Sequence, residues 1–190
     1  MLRIALFAAA LSVLSGCAAP GGGRTETPAR PQREAIRSFQ IEGRIAVRRG
    51  AESFSAGIDW RHDATTDDIA ISGPFGQGLA RLSANASGAV LETSDLKRYE
   101  ATGLDDLSGQ VFGTPLPVSG MARWVLGHSA FGGVAPLDTT GRPAGLSEQG
   151  WIVEYLGYES EAPDALPTLL RARREDIELR LKIDSWSLAR

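Results

Sequence analysis

The stretch FQIEGRIAV, residues 39–47, alternates apolar side chains with polar or small ones along its whole length. Its apolar positions are Phe39, Ile41, Ile45 and Val47. This period of two predicts a β-strand with one dry face and one wet face, which is typical of antiparallel sheets. The stretches FSAGIDW, residues 54–60, and DIELRLKIDSW, residues 176–186, repeat the pattern.

Shorter strand candidates follow the same pattern between turns rich in Gly, Asn and Asp, as in a meander. They lie at residues 68–72, 79–84, 89–93, 98–101, 151–155 and 169–173. Amphipathic helices are predicted at 104–112, with Thr102 as N-cap, and at 119–127. Residues 128–150 are irregular, with room for a short third helix.

This order of elements predicts a mainly β fold with a few short helices. A single curved antiparallel sheet would have its apolar concave side covered by the helices. Periodicity does not decide whether side chains fill that concavity or leave a cavity for a ligand. The two possibilities separate a plain core from a lipid-binding site.

The N-terminus has the order of a secretory signal, with Arg3, an apolar run and small residues before Cys17. Its ending Leu-Ser-Gly-Cys resembles the bacterial lipobox, in which the Cys thiol is lipidated and the signal is cut before it. The alternative is an ordinary secreted protein with an incidental Cys. We expect a lipoprotein signal peptide at 1–16, the lipidated Cys17 with a flexible tether at 17–36, and one domain at 37–190.

Composition excludes several classes of function. A net charge of −3 argues against a nucleic-acid partner, and two His with one Cys leave little for a metal site and nothing for an intramolecular disulfide. The stretch GHSAFG, residues 127–132, departs from the G-x-S-x-G nucleophile motif because its second Gly falls one place late. We therefore predict no enzyme activity, no cofactor and no metal.

The turn in ISGPFGQG, residues 71–78, carries an aromatic side chain, Phe75, at its tip. Turn tips usually carry small polar residues, because an apolar ring held in water gains nothing. From these residues alone, a protruding ring and a ring folded back onto the sheet as a plug are both possible.

Together the segments are similar to the LolB family of outer-membrane lipoprotein receptors. The landmarks are FQIEGRIAVR, FSAGIDW, ISGPFGQG, TPLPVSGMARWVLG, GWIVEYLGY and IDSWSL, which span nearly all of the expected domain. The resemblance implies an unclosed antiparallel β-barrel with a helical lid over a hydrophobic cavity. It also implies a lipid-anchored outer-membrane protein, facing the periplasm, that accepts lipoproteins from a LolA-type periplasmic carrier and inserts them into the membrane. Ala18, in place of the Asp that retains enteric-type lipoproteins at the inner membrane, favours the same location.

In that family an apolar residue protrudes from the loop that matches GPFG, and the resemblance assigns membrane insertion to Gly73, Pro74, Phe75 and Gly76. The acyl chains of client lipoproteins would then need an apolar cavity. Candidate lining residues, the three tryptophans above all, are Ile45, Val47, Phe54, Ile58, Trp60, Trp124, Val125 and Trp151. A monomer that contacts outer-membrane lipid is expected. The alternative is a structural or assembly lipoprotein of the outer membrane that binds a protein partner.

Overall fold

A computed structural model describes residues 32–113 and 116–188. Within these residues ten antiparallel strands form one sheet, in the order β6-β5-β4-β3-β2-β1-β10-β9-β8-β7. The strands are β1 (Phe39–Arg49), β2 (Glu52–His62), β3 (Asp67–Ser72), β4 (Gly78–Asn85), β5 (Gly88–Thr93), β6 (Arg98–Ala101), β7 (Gly145–Glu148), β8 (Trp151–Tyr158), β9 (Pro167–Arg174) and β10 (Ile177–Leu188).

The sheet consists of two meanders joined where β1 pairs with β10. Strands β6 and β7 are its two edges, so the sheet is unclosed. The predicted mainly β, unclosed antiparallel fold is confirmed. The long strands β1, β2 and β10 are the ones whose alternation is clearest in the sequence, because one side of each faces the apolar interior.

Two helices follow β6 in the described residues: α1 (Leu104–Phe112) and α2 (Val118–Trp124). The first has the predicted bounds and ends at Gly113, whose φ of 69° is the left-handed conformation typical of a helix C-terminus. Its N-cap is Gly103 rather than Thr102, although the Thr102 hydroxyl donates a hydrogen bond to Asp106. The second helix ends three residues before the predicted Gly127.

The segment 128–150 contains strand β7 and no third helix. Strand β7 pairs with β8, from Gly145 opposite Glu154 to Glu148 opposite Trp151. A strand of four residues is too short to show a period of two, so the sequence pattern does not distinguish it from a loop.

The folded region begins before the predicted residue 37. A single 3-10 turn at Arg33–Ala35 leads into Ile36, which is buried in the apolar interior. Arg33 and Ile36 are buried, whereas Glu34 and Ala35 are exposed, so the packed region includes residues of the predicted tether. The predicted signal peptide, Cys17 and residues 18–31 of the predicted tether lie outside the described residues.

Apolar side chains form two clusters on the concave side of the sheet. The main cluster contains side chains from α2 and from six strands, which are β1, β2, β7, β8, β9 and β10. The small cluster joins β5 to α1 through Ala89, Leu91, Leu104 and Leu107. No helix within residues 32–113 and 116–188 is long and apolar enough to cross a bilayer.

Candidate functional site

The β3–β4 turn holds Phe75 away from the protein. The Gly73 amide donates to the Gln77 carbonyl at 2.8 Å, and the Gly76 amide donates to the Gly73 carbonyl at 2.9 Å. The Phe75 amide donates to the side-chain oxygen of Gln77 at 3.1 Å, so the backbone of the turn is hydrogen-bonded within itself. The Phe75 side chain is 95% exposed. Of the two orientations that the sequence left open, the protruding ring is the one observed.

Gly76 and Gly73 allow this turn for different reasons. Gly76 has a φ of 78°, which an L side chain rarely adopts. A Cβ at Gly73 would lie 2.3 Å from the amide nitrogen of the Gln77 side chain, which is the side chain that accepts from Phe75. The two glycines therefore support the geometry that presents the ring.

An apolar cleft of about 260 Å³ opens between the end of α1 and the central strands. Of the predicted lining residues, Val47 and Phe54 line it. The Arg49 guanidinium closes one side by donating to the Phe112 carbonyl at 3.1 Å. The remaining lining residues are Glu52, Ser53, Val111, Leu116 and Ile177.

The three predicted tryptophans lie elsewhere, in the packed interior. Trp60, Trp124 and Trp151 are at most 1% exposed and belong to the main cluster. Trp124 and Trp151 have ring centroids 6.0 Å apart, and the indole N–H of Trp60 donates to Asp67 at 2.7 Å. Ile58 and Val125 are also buried in this cluster, and Ile45 packs against it. Side chains thus fill the concave side beneath α2.

A carboxylate that the sequence did not single out fastens the helical segment to the sheet. Glu148 on β7 accepts hydrogen bonds from the Trp124 indole N–H, the Ser129 hydroxyl and the Ala130 amide, the last at 3.0 Å. Burial alone would raise the pKa of Glu148, but these hydrogen bonds outweigh it and leave the pKa below its usual value. The sequence feature that could have indicated this role is the spacing of Glu148, which lies two positions after Leu146. In a strand this spacing puts the acid on the same, apolar side as the leucine.

Further hydrogen bonds connect the two helices to each other and to the sheet. Asp105 on α1 accepts from the backbone and the hydroxyl of Ser119 on α2, each at 2.9 Å. The Tyr155 hydroxyl on β8 donates to the Trp124 carbonyl at 2.9 Å. Helix α2 is therefore held from three directions, by α1, by β7 and by β8.

Buried nitrogen atoms lie where the chain enters the domain. Arg33 is 7% exposed, and within the described residues its Nε and Nη1 atoms have no hydrogen-bond partner. The Nε2 atom of His128 is likewise buried and unpartnered there. Burial lowers the pKa of His128, although a hydrogen bond to the Arg33 backbone favours the charged ring.

Ser129 is engaged in hydrogen bonds within the segment that follows α2. The Ser129 hydroxyl donates to Glu148 and accepts from the Gly133 amide at 2.8 Å, which makes it a link in the segment after α2. Over the described ranges, the His, Cys, Asp and Glu side chains form no group of three or more that could hold a metal ion.

Comparison with known proteins identifies the family. The family model described as "Outer membrane lipoprotein LolB" matches residues 37–186. The chain belongs to the LolB family. The outer-membrane lipoprotein LolB of Azoarcus sp. (strain BH72) is 39% identical over 189 residues, which cover 97% of this chain and 94% of that protein. The protein of the same name from Dechloromonas aromatica (strain RCB) is 39% identical over 185 residues, 93% of each chain.

A solved structure, the LolA superfamily protein NE2245 from Nitrosomonas europaea, aligns with a TM-score of 0.48 and 10% identity. The alignment covers 82% of this chain and 88% of that one. The segment matched by the LolB family model includes the Phe75 turn, both helices and every residue that lines the cleft.

Proposed function

We propose that this chain is an outer-membrane receptor that accepts lipoproteins from a LolA-type periplasmic carrier, shields their acyl chains, and inserts them into the outer membrane. The single observation that carries the proposal is the fully exposed Phe75 on an internally hydrogen-bonded turn of a LolB-family domain. Such a side chain gains free energy only when it meets an apolar phase.

The cargo explains why an apolar site is needed. Burying one CH₂ group is worth about 0.8 kcal/mol, so acyl chains exposed to water would cost tens of kcal/mol. A receptor that shields part of this surface lowers that cost, and the bilayer lowers it further. Transfer from carrier to receptor to membrane then needs only successively better apolar surroundings, without a nucleotide or a metal.

In this proposal the acyl chains enter at the cleft between α1 and the central strands. The cleft volume of about 260 Å³ is slightly below the range of about 300–1,000 Å³ that small-molecule pockets occupy. In this proposal helix α1 moves outward to admit an acyl chain. The small cluster beneath it leaves α1 less firmly packed than α2, and its exposed Val111 and Phe112 would line the widened cleft.

Phe75 and Cys17 have separate roles in this proposal. Inserting a Phe side chain is worth roughly 1.5–3 kcal/mol, which orients a protein that already lies at a bilayer but does not anchor it. Anchoring needs more than one acyl chain, and these would be attached to Cys17. The Phe75 turn then directs the domain toward the membrane surface.

The test is the substitution Phe75→Glu in the full-length protein. We expect thermal unfolding to be unchanged, because the ring contributes no burial, and transfer of a labelled lipoprotein into liposomes to be lost. A matched control is Val134→Glu, which adds the same charge at another apolar side chain that is 93% exposed. The control should transfer normally.

Normal transfer by Phe75→Glu would remove the membrane role of the turn. Mass spectrometry of the purified protein then separates the remaining readings. Bound phospholipid or lipoprotein would retain the receptor function with another insertion site, whereas a stoichiometric protein partner would favour the assembly lipoprotein.

A further inference from the structure

A second exposed apolar side chain, Leu96, stands at the tip of the turn between β5 and β6. It is 95% exposed, the same fraction as Phe75. The Thr93 amide donates to the Lys97 carbonyl at 2.9 Å, and the Leu96 amide donates to the Thr93 carbonyl at 2.9 Å. The Lys97 ammonium lies 2.7 Å from the Asp95 carboxylate. Polar groups thus fix the turn, and none of these contacts involves the leucine side chain.

The backbone at Leu96 makes its residue type unusual. Its φ of 63° is in the left-handed region. Three-residue hairpin loops place Gly or Asn at this position, because a Cβ there crowds the following carbonyl. The described residues contain two other non-glycine residues with positive φ, Gln149 and Glu175, and both are polar. Leu96 therefore carries backbone strain and exposes an apolar surface, and neither stabilises the isolated fold.

The register places the Leu96 turn at the same end of the sheet as the Phe75 turn. Strands β3 to β6 form a meander, so the β3–β4 and β5–β6 turns lie at the same end of the sheet, and the β4–β5 turn lies at the other. The Ser94 amide donates to the Leu79 carbonyl at 2.8 Å and ties the Leu96 turn to the strand that leaves the Phe75 turn. Two strand spacings of about 4.8 Å separate the centres of these turns by about 10 Å.

The other hairpin turns at this end follow ordinary turn chemistry. They carry Gly50 and Ala51, Gln149 and Gly150, and Glu175 and Asp176. Large apolar tips thus occur on two neighbouring turns and not on the three others described at that end.

We propose that Leu96 is a second membrane-contacting residue, which enters the hydrocarbon layer of the outer membrane together with Phe75. The proposal rests on the proposed membrane role of the Phe75 turn. Two isolated side chains offer far less than the roughly 800 Å² that each side of a stable protein interface buries, whereas a fluid apolar phase surrounds each one separately. In the neighbouring residues Asp95 pairs with Lys97, and Arg98 pairs with both Glu92 and Glu100. These two cations and three anions form no basic patch that would attract an anionic headgroup, so the contact would depend on the apolar side chain.

Two membrane contacts restrict the orientation of the domain more than one contact does. A single inserted side chain leaves the domain free to rotate about that point. A second contact about 10 Å away fixes the direction of the β3–β6 edge at the bilayer. That orientation would keep the exposed end of α1, which reaches the same end of the sheet beside Arg49, close to the membrane.

The first experiment places an environment-sensitive fluorescent amino acid at position 75, 96 or 175 of the full-length protein. Each protein is reconstituted in vesicles of phosphatidylethanolamine and phosphatidylglycerol whose acyl chains carry a nitroxide quencher. We expect blue-shifted, quenched emission at 75 and 96 and water-like emission at 175. Water-like emission at 96 with a shielded probe at 75 would overturn this inference alone. Water-like emission at both would overturn it together with the proposed role of Phe75.

The second experiment uses Leu96→Gly, which removes both the side chain and the strain. The melting temperature should stay the same or rise, while transfer of a labelled lipoprotein into the same vesicles, without quencher, should fall about tenfold. The matched control is Glu175→Gly, which relieves the same kind of strain on a polar turn and should leave transfer unchanged. Wild-type transfer by Leu96→Gly would contradict the proposal.

Discussion

The half of the sheet that packs against α2 has a deep apolar interior, whereas the half that packs against α1 has a thin one. Trp124 of α2, Trp60 and Trp151 of the sheet, and leucines from β9 and β10 are almost completely buried in the half that packs against α2. Beneath α1, the buried part of the cluster is Ala89, Leu91, Leu104 and Leu107, surrounded by partly exposed neighbours. The apolar turns at Phe75 and Leu96 and part of the cleft wall belong to this second half.

This difference separates stability from function. A close-packed interior resists deformation, and a small cluster with exposed neighbours opens at lower cost. We infer that the half beneath α2 contributes most of the stability and that the half beneath α1 deforms at lower cost. A lipid-handling protein needs both, because cargo must enter and leave a domain that stays folded.

The largest effect that tests this contrast is expected from a matched pair of leucine truncations. Leu170 lies in the main cluster and Leu107 in the small one, and they are 0% and 1% exposed. We expect Leu170→Ala to lower the free energy of unfolding by about 4–5 kcal/mol and Leu107→Ala by about 2–3 kcal/mol. The reason is that the rigid surroundings of Leu170 cannot collapse into the cavity. Denaturant titration measures both, and equal losses would contradict the proposed difference in packing.

A smaller loss of unfolding free energy is expected when the hydrogen bonds of Glu148 to the segment around α2 are weakened. Glu148→Gln keeps the volume but cannot accept all the hydrogen bonds from Trp124, Ser129 and Ala130, which should cost about 1–3 kcal/mol at neutral pH. Because the folded-state pKa of Glu148 is lowered, its ionised form stabilises the fold above the usual value of 4.5. That contribution is lost as pH falls through the folded-state pKa.

The difference in unfolding free energy between wild type and Glu148→Gln should therefore shrink below about pH 4.5. Other carboxylates with lowered pKa values are present in both proteins and cancel in the comparison. A difference that stays constant from pH 7 to pH 3 would show that the charge of Glu148 contributes nothing.

The smallest expected effect is an increase, not a decrease, in the free energy of unfolding. Arg33→Met replaces buried, unpartnered nitrogens with an apolar chain of similar length, and we expect the unfolding free energy to rise by about 1 kcal/mol. The control Arg37→Met removes the same charge from an exposed neighbour and should change stability by less than about 0.5 kcal/mol. A loss of stability in Arg33→Met would mean that the guanidinium supports the fold through contacts other than hydrogen bonds.

Much of the architecture could be predicted because alternation is local. The period of two in β1, β2 and β10 and the apolar stripe of α1 are visible in stretches of about ten residues. The Phe75 turn was also identifiable from its glycines and proline. Strand β7 and the end of α2 were missed or misplaced, since four residues show no period and a helix end depends on what packs beyond it.

The candidate site was less predictable from the sequence. Alternation puts Trp60, Phe54 and Val47 on the apolar side of the sheet, but it does not say which of them touch a packed neighbour and which face a cleft. Trp60 is buried beside Phe39, with ring centroids 5.3 Å apart, while Phe54 remains 40% exposed in the cleft wall. Whether such a side chain is buried or lines the cleft depends on the positions of the residues packed around it, including those of α1 at the cleft.

The sequence by itself determined every strand except β7, the mainly β class, the family and the unusual turn at Phe75, because these depend on neighbouring residues. The tertiary structure alone decided that the tryptophans are interior, that Glu148 binds the segment around α2, and that the Leu96 and Phe75 turns lie at the same end of the sheet. Each of these joins residues that are far apart in the chain, and their contact follows from the strand order, register and curvature of the whole sheet.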